Sequence, residues 1–297
     1  MKIFDCFMYF DEEIVLDVRL NTLNEFVDYF VIVESKFTHK GDQRDLKFNI
    51  KKFEKFKDKI IYLVFDDSPK EVELIKYGDN DHEKSKKYIY NAILRENGQR
   101  NYIKKGLVDA EENDIIIISD VDEIPNLQNV NFDKINEKII LFKQDMFYYK
   151  FNLHLPNLVW TGTKACRKKN LLSPQWLRNI KDRKYSFYRL DTLFSKTKYQ
   201  NIKYIDNGGW HFTNIKTAKE IEHKLKSYLH HREFDVNPLN INQIDEIIKS
   251  KKAIYNLNVD KSVSKIGNGN ELKKFDPSKL PNYIQKNKNQ FKEWMED

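Results

Sequence analysis

The chain has 297 residues, enough to bury a substantial core as one large unit or as one unit with an appendage. Its 52 Lys and Arg against 45 Asp and Glu leave a formal net charge of +7, and Cys6 and Cys166 are the only cysteines. Two thiols exclude a disulfide framework and a cysteine metal cluster, and no run approaches the ~20 apolar residues that cross a bilayer.

Residues 3–9 read as a strand, and a helix follows over 12–25. Tyr29-Phe30-Val31-Ile32-Val33-Glu34 is a buried strand ending in a carboxylate. A polar loop from Lys36 to Lys47 leads to a short basic helix near 49–57, where Lys51, Lys52 and Lys55 read as a solvated face. Ile60 to Phe65 is the next strand. A long helix fits 83–105, with Ile89, Ala92 and Ile93 on one face, and then comes Ile115-Ile116-Ile117-Ile118. Four β-branched residues in succession fit a pleat covered on both faces. Strands alternating with helices at this spacing predict a mostly parallel sheet wrapped by helices. Beyond Pro125, residues 139–142 and 146–149 read as strands. Thr217-Ala218-Lys219-Glu220 is a capping box opening a helix, and a further helix is expected from Asn240 to Ala253. The expected organisation is a catalytic unit over 1–232 and a helical extension over 233–297, packed on that unit or peripheral to it.

The stretch after the four isoleucines, Ser119-Asp120-Val121-Asp122-Glu123-Ile124-Pro125, carries the sharpest chemical signal. Alternation in extended backbone lets Asp120 and Asp122 project together while Val121 faces away. Paired carboxylates at the carboxyl end of a buried strand suit a hard divalent cation that bridges a diphosphate. The basic excess reads either as solvated faces or as a surface for a phosphate-bearing ligand or an anionic membrane. Lys2 precedes only a short apolar stretch broken by Asp5, which is not a signal-peptide pattern, so a cytoplasmic location is expected.

Several segments together resemble glycosyltransferase family 17. They are Val27 to Ser35, Phe37-Thr38 with Gly41, Arg44 and Leu46-Lys47-Phe48, then Asp114 to Pro125, and lastly Gly209-Trp210-His211. The resemblance runs in order over residues ~4 to ~230. It implies a GT-A fold, with a Rossmann-like nucleotide-binding half, a metal bound at the paired aspartates and inversion at the anomeric carbon. It also implies a nucleotide-sugar donor, UDP-GlcNAc by preference, and a glycan or glycolipid acceptor. Mn2+ or Mg2+ is the expected cofactor, held by Asp120 and Asp122 with His211 as a third ligand or a diphosphate contact.

Other roles follow from position. Glu34 stands where a ribose or base contact belongs, Arg44 and Lys47 are within reach of the diphosphate, and Trp210 would pack against the sugar. Glu123 is the expected general base, with Asp206 the alternative. Two other readings compete. A nucleotidyltransferase would want a glycine-rich phosphate loop, and Ile3 to Arg19 holds no glycine. The other is a non-catalytic glycan-binding protein, a basic, aromatic-rich domain gripping glycan or nucleic acid, whose clustered carboxylates would repel phosphate without a cation. No nucleic-acid-binding signature is present.

Overall fold

The computed structural model describes residues 1–297 apart from 187, 193, 200, 230, 257–265 and 268. β1 (Ile3–Tyr9) leads through α1 (Glu13–Leu23) to β2 (Tyr29–Ser35), and 3-10 turns over Ile50–Lys59 lead to β3 (Ile60–Phe65). α2 (Asp81–Tyr102) then returns the chain to β4 (Ile115–Asp120). These four strands are parallel, in the order β3-β2-β1-β4. Both faces are covered, which is why the isoleucine run is apolar throughout: Ile115 and Ile117 pack with Leu16 and Leu20 of α1. Ile116 and Ile118 pack on the other face with Ile103 and Leu107.

After β5 (Glu123–Pro125) come β6 (Ile139–Phe142), β7 (Gln144–Tyr148), β8 (Leu153–Trp160) and β9 (Lys164–Arg167). α3 (Pro174–Asn179), β10 (Ile202–Ile205), β11 (Gly209–Thr213) and α4 (Ala218–Ser227) complete the residues expected to form the catalytic unit. β9 lies antiparallel between β4 and β6, and β10 closes a seven-stranded sheet parallel to β6. A second sheet, in the order β8-β7-β11-β5, stands against the carboxyl end of the first. The capping box is present as expected: Thr217 and Glu220 exchange side-chain and backbone hydrogen bonds.

One expectation changes. The buried face of α2 is polar: Asn91, Gln99 and Arg100 lie inside beside Ala92, while Ile89 and Ile93 are exposed. That face meets β1, β2 and β3 and the cavity described below. There Gln99 Nε2 donates to Val33 O at 3.0 Å and Arg100 reaches Asp120. The C-terminal residues hold α5 (His231–Val236), α6 (Ile241–Lys249), β12 (Lys273–Lys274), which extends the second sheet beside β8, and α7 (Asn282–Lys286). The tail is not peripheral, because Leu280, Ile284 and Phe291 are buried in the same core as α1. Asn152 also exchanges two hydrogen bonds with the backbone of Glu296.

Candidate functional site

The order β3-β2-β1-β4 departs in opposite directions from β1, so the carboxyl ends of β1 and β4 flank a crevice, the usual ligand position in such sheets. A cavity of about 390 Å3 opens there, lined by Met8, Tyr9 and Phe10 at and just past the end of β1 and by Asp120, Val121 and Asp122 at the end of β4. The turn carrying the aspartates is held from below by Arg19 of α1, which is fully buried. Its Nη1 donates to the carbonyls of Asp120, Val121 and Glu123 at 3.0, 3.1 and 2.9 Å, and its remaining nitrogens pair with Asp5. A planar guanidinium suits this because its donors point in fixed directions.

A second arginine clamps the side chains. Arg178 of α3 donates to Asp120 Oδ2 at 2.6 Å and to both Glu123 oxygens at 2.7 Å, and Arg100 donates to the other oxygen of Asp120 at 3.0 Å. Desolvation would push the Asp120 carboxyl up, yet Arg178 and Arg100 hold it well below the usual carboxylate range. Glu123 also accepts from the indole Nε1 of Trp160 at 2.6 Å and from the backbone of Asp120 at 2.9 Å. Gly162 makes room for this cluster: a Cβ there would sit 1.8 Å from Glu123 Oε1 and 2.3 Å from Trp160 Nε1. Lys164 fixes the end of α3 by donating to the carbonyls of Arg178 and Ile180 at 2.6 Å each. Burial, with Arg178 nearby, lowers its ammonium to about 7.

Asp122 faces different company. His211 Nε2 lies 3.5 Å from its Oδ1, and Lys224 Nζ lies 3.8 Å from its Oδ2. Desolvation opposes ionisation, but His211 and then Lys224 keep the carboxyl below its ordinary value. The His211 ring packs against Trp160 with centroids 5.2 Å apart. Its Nδ1 and the Nδ2 of Asn214, three residues on, are buried without a partner among the described residues, and both residues line the cavity. Buried polar atoms in that condition are uncommon.

These donors decide how a divalent cation fits. Among the described residues no group of three His, Cys, Asp or Glu side chains converges as a metal centre. The pair Asp122 and His211 does offer one ionised oxygen and one imidazole nitrogen side by side, and a diphosphate and water would complete their coordination. Asp120 fits less well, since both of its oxygens already accept from guanidinium groups.

The sequence model of glycosyltransferase family 17 matches residues 1–295. The chain belongs to glycosyltransferase family 17. It is 32% identical over 125 residues to the β-1,4-mannosyl-glycoprotein 4-β-N-acetylglucosaminyltransferase of Homo sapiens, covering 41% of this chain and 21% of that protein. The Mus musculus protein of the same name is 26% identical over 231 residues, covering 72% of this chain and 40% of that one. The chain therefore spans about a fifth to two fifths of the length of these relatives. Among solved structures, HddC of Yersinia pseudotuberculosis aligns at 13% identity over 69% of this chain and 90% of its own, with a TM-score of 0.29. The Francisella tularensis 2-C-methyl-D-erythritol 4-phosphate cytidylyltransferase aligns at 10% over 75% and 98%, also at 0.29. Neither likeness is strong enough to carry an argument.

In this family-17 chain the cavity gathers Asp120, Asp122, Glu123, His211 and Arg44. The other residues expected there lie elsewhere. Glu34 is fully buried and accepts from Arg44, Tyr62 and the backbone of Lys47 and Phe48, so it anchors the loop instead of facing a ligand. Lys47 takes part through its backbone, and its side chain points to solvent. Trp210 faces the core, with Nε1 donating to Lys279 O, because alternation on β11 sends it opposite His211. Asp206 is exposed and paired with Lys143, away from the cavity. Gly209 serves strand pairing: its φ is +130°, and a Cβ would meet Ile124 O at 2.1 Å.

Glu123 is in the cavity wall but accepts four hydrogen bonds, which is the work of a positioning carboxylate more than of a base that must pick up a proton. Trp160, Arg178, Arg100, Arg19 and Lys224 were not anticipated from the sequence. Arg19, an arginine between Val18 and Leu20 in a helix that buries all three, carried the clearest overlooked signal.

Proposed function

We propose that this chain transfers a sugar, GlcNAc by preference, from a UDP-sugar to a hydroxyl of a glycan or glycolipid, with inversion at the anomeric carbon and assistance from Mn2+ or Mg2+. Membership of family 17 supports glycosyl transfer, and the printed names of the relatives favour GlcNAc. The observation that carries the metal-assisted form is the pairing of Asp122 with His211 at 3.5 Å, in a cavity where His211 Nδ1 has no partner among the described residues. The parallel β1–β4 half with its crevice at the carboxyl end is compatible with a GT-A arrangement.

A divalent cation at Asp122 and His211 would neutralise the charge that develops on the departing nucleoside diphosphate. The protein's own contribution is preorganisation. Arg19 fixes the backbone of the aspartate turn, and Arg178 fixes Asp120 and Glu123, so Asp122 meets the donor without rearranging. Glu123 and Gly162 in turn set the indole of Trp160, whose face beside His211 suits the apolar face of a pyranose ring. The acceptor hydroxyl must lose its proton to a base on the face opposite the leaving group. Asp206 stands too far out for that task, and Glu123 is committed to Arg178 and Trp160.

Calorimetric titration of UDP with and without Mn2+ tests this reading. Without metal the diphosphate meets the Asp122 carboxylate with only Lys224 and His211 beside it to offset the repulsion, which is about 1–4 kcal/mol for a close like-charge pair in a wet site. UDP binding is expected to strengthen on adding Mn2+; equal affinity in both conditions would remove the metal from the account.

A further inference from the structure

Lys224 enters the cavity from α4, a helix fixed by its capping box and by the buried side chains of Ile221 and Leu225. Its side chain is four-fifths buried, with Nζ 3.8 Å from Asp122 Oδ2 and 3.9 Å from Glu12 Oε1. Both separations exceed hydrogen-bond length, so the ammonium is ion-paired while its three donors are unmatched among the described residues. A lysine kept only for charge balance closes on its carboxylate, as the neighbouring Lys216 does on Asp11. Lys224 is prevented from doing so. Glu12 is tied by its other oxygen to the backbone of Phe10 and Asp11, and Asp122 is drawn toward His211. What remains is an ammonium in the wall of the cavity, with donors left over for a ligand, beside the Asp122 carboxylate.

We propose that Lys224 is the resident cation for the donor's diphosphate: it donates hydrogen bonds to phosphate oxygens and gives nucleotide binding a share that needs no metal. This rests on the nucleotide-sugar reading above and adds a phosphate contact from α4 that the aspartate motif does not contain. The compact ammonium acts as a point charge, so arginine can replace its charge in part and methionine cannot. In the absence of nucleotide the same ammonium repels a divalent cation from Asp122, and the arrival of the diphosphate relieves that repulsion.

The test is titration of UDP and GDP into wild-type, Lys224→Met and Lys224→Arg protein, in EDTA and again in Mn2+. In EDTA the wild type is expected to bind UDP or GDP more tightly than the matching nucleoside. Lys224→Met should weaken that binding by about tenfold or more, the loss of one charge-assisted hydrogen bond, and Lys224→Arg should retain most of it. Without nucleotide, Lys224→Met should bind Mn2+ more tightly than the wild type. A folded Lys224→Met protein with unchanged affinity in EDTA overturns the assignment and leaves the metal-assisted reading in place. Should that variant not fold, wild-type protein that binds UDP no better than uridine in EDTA overturns it equally. Wild-type protein that binds neither nucleoside diphosphate even in Mn2+ removes the reading on which the proposal rests.

Discussion

Arg178 Nη2 lies 2.6 Å from Asp120 Oδ2, and the same guanidinium holds both oxygens of Glu123 at 2.7 Å. One side chain from α3 thus fixes the two carboxylates that bracket the Val121-Asp122 turn. The site's shape depends on a residue more than fifty positions away in sequence, itself held by Lys164 through the carbonyls that end α3.

Arg178→Ala leaves Glu123 buried without its partner, and breaking a buried pair by removing one member costs about 3–5 kcal/mol. For a chain of this length the expected fall in melting temperature is roughly 5–15 °C. Arg178→Lys, which keeps the charge without the fork, should fall in between. Thermal melts of the three proteins decide it. Unchanged melting in Arg178→Ala would mean that Arg178 does not hold the turn.

The clamp also sets an acid limit. Arg178 and Arg100 hold the Asp120 carboxyl below its unfolded value of about 4, so its contribution to stability is complete above that pH. It is lost as the pH falls through the folded value, because the unfolded chain then binds the proton first. Asp122, lowered by His211 and Lys224, acts in the same direction. Melting temperature followed from neutral pH down through about pH 3 should fall less steeply in Asp120→Asn than in the wild type. Parallel curves would show that the pairing contributes no pH-dependent stability.

Two tryptophans, Trp210 in the core and Trp160 in the cavity wall, separate packing from ligand contact. Trp210→Ala removes a core indole and its bond to Lys279 O, so a loss of about 3–5 kcal/mol is expected in the apo protein. Trp160→Ala should cost less stability and more function, because its ring lines the cavity beside His211. Denaturant melts read beside donor turnover will distinguish them; the reverse pattern would move the sugar site to the Trp210 side.

Much of the parallel half was legible before any coordinates. Apolar runs such as Ile115 to Ile118 have one physical solution, a strand covered on both faces, and the aspartates at its end follow from strand polarity. The second sheet was legible only in part: residues 146–149 read as a strand and fall on β7, but β5 and β11 join it across long separations that no local pattern announces. The same limit explains the site. Asp120 and Asp122 stand in a motif, whereas Arg178, Trp160 and Lys224 acquire meaning only when α3, β8 and α4 fold against it. Trp210 and His211 were read as one unit, and strand alternation divides them between core and cavity. Glu34 looked like a ligand contact because it ends a strand, but four donors from the following segment enclose it.

His211 offers a cleaner division than most buried histidines. His211→Ala takes from Asp122 the imidazole 3.5 Å from its Oδ1 but leaves Lys224 beside the same carboxylate, so the apo melt is expected to fall only slightly below that of the wild type. Mn2+-dependent UDP binding should weaken by about 10–100-fold, the range seen when support for a bound metal is removed. A large drop in apo stability with UDP affinity unchanged would make His211 a packing residue.

The most direct measurement is release of UDP from UDP-GlcNAc in Mn2+ by wild-type protein and by Asp122→Asn. The substitution keeps the shape of the side chain and removes the charge that would hold the cation. Slow metal-dependent release by the wild type, reduced by about 100-fold or more in a variant that melts normally, is the expected result. Asp122→Asn protein as active as wild type with Mn2+ would contradict the account at its centre, as would wild-type protein that releases no UDP at all.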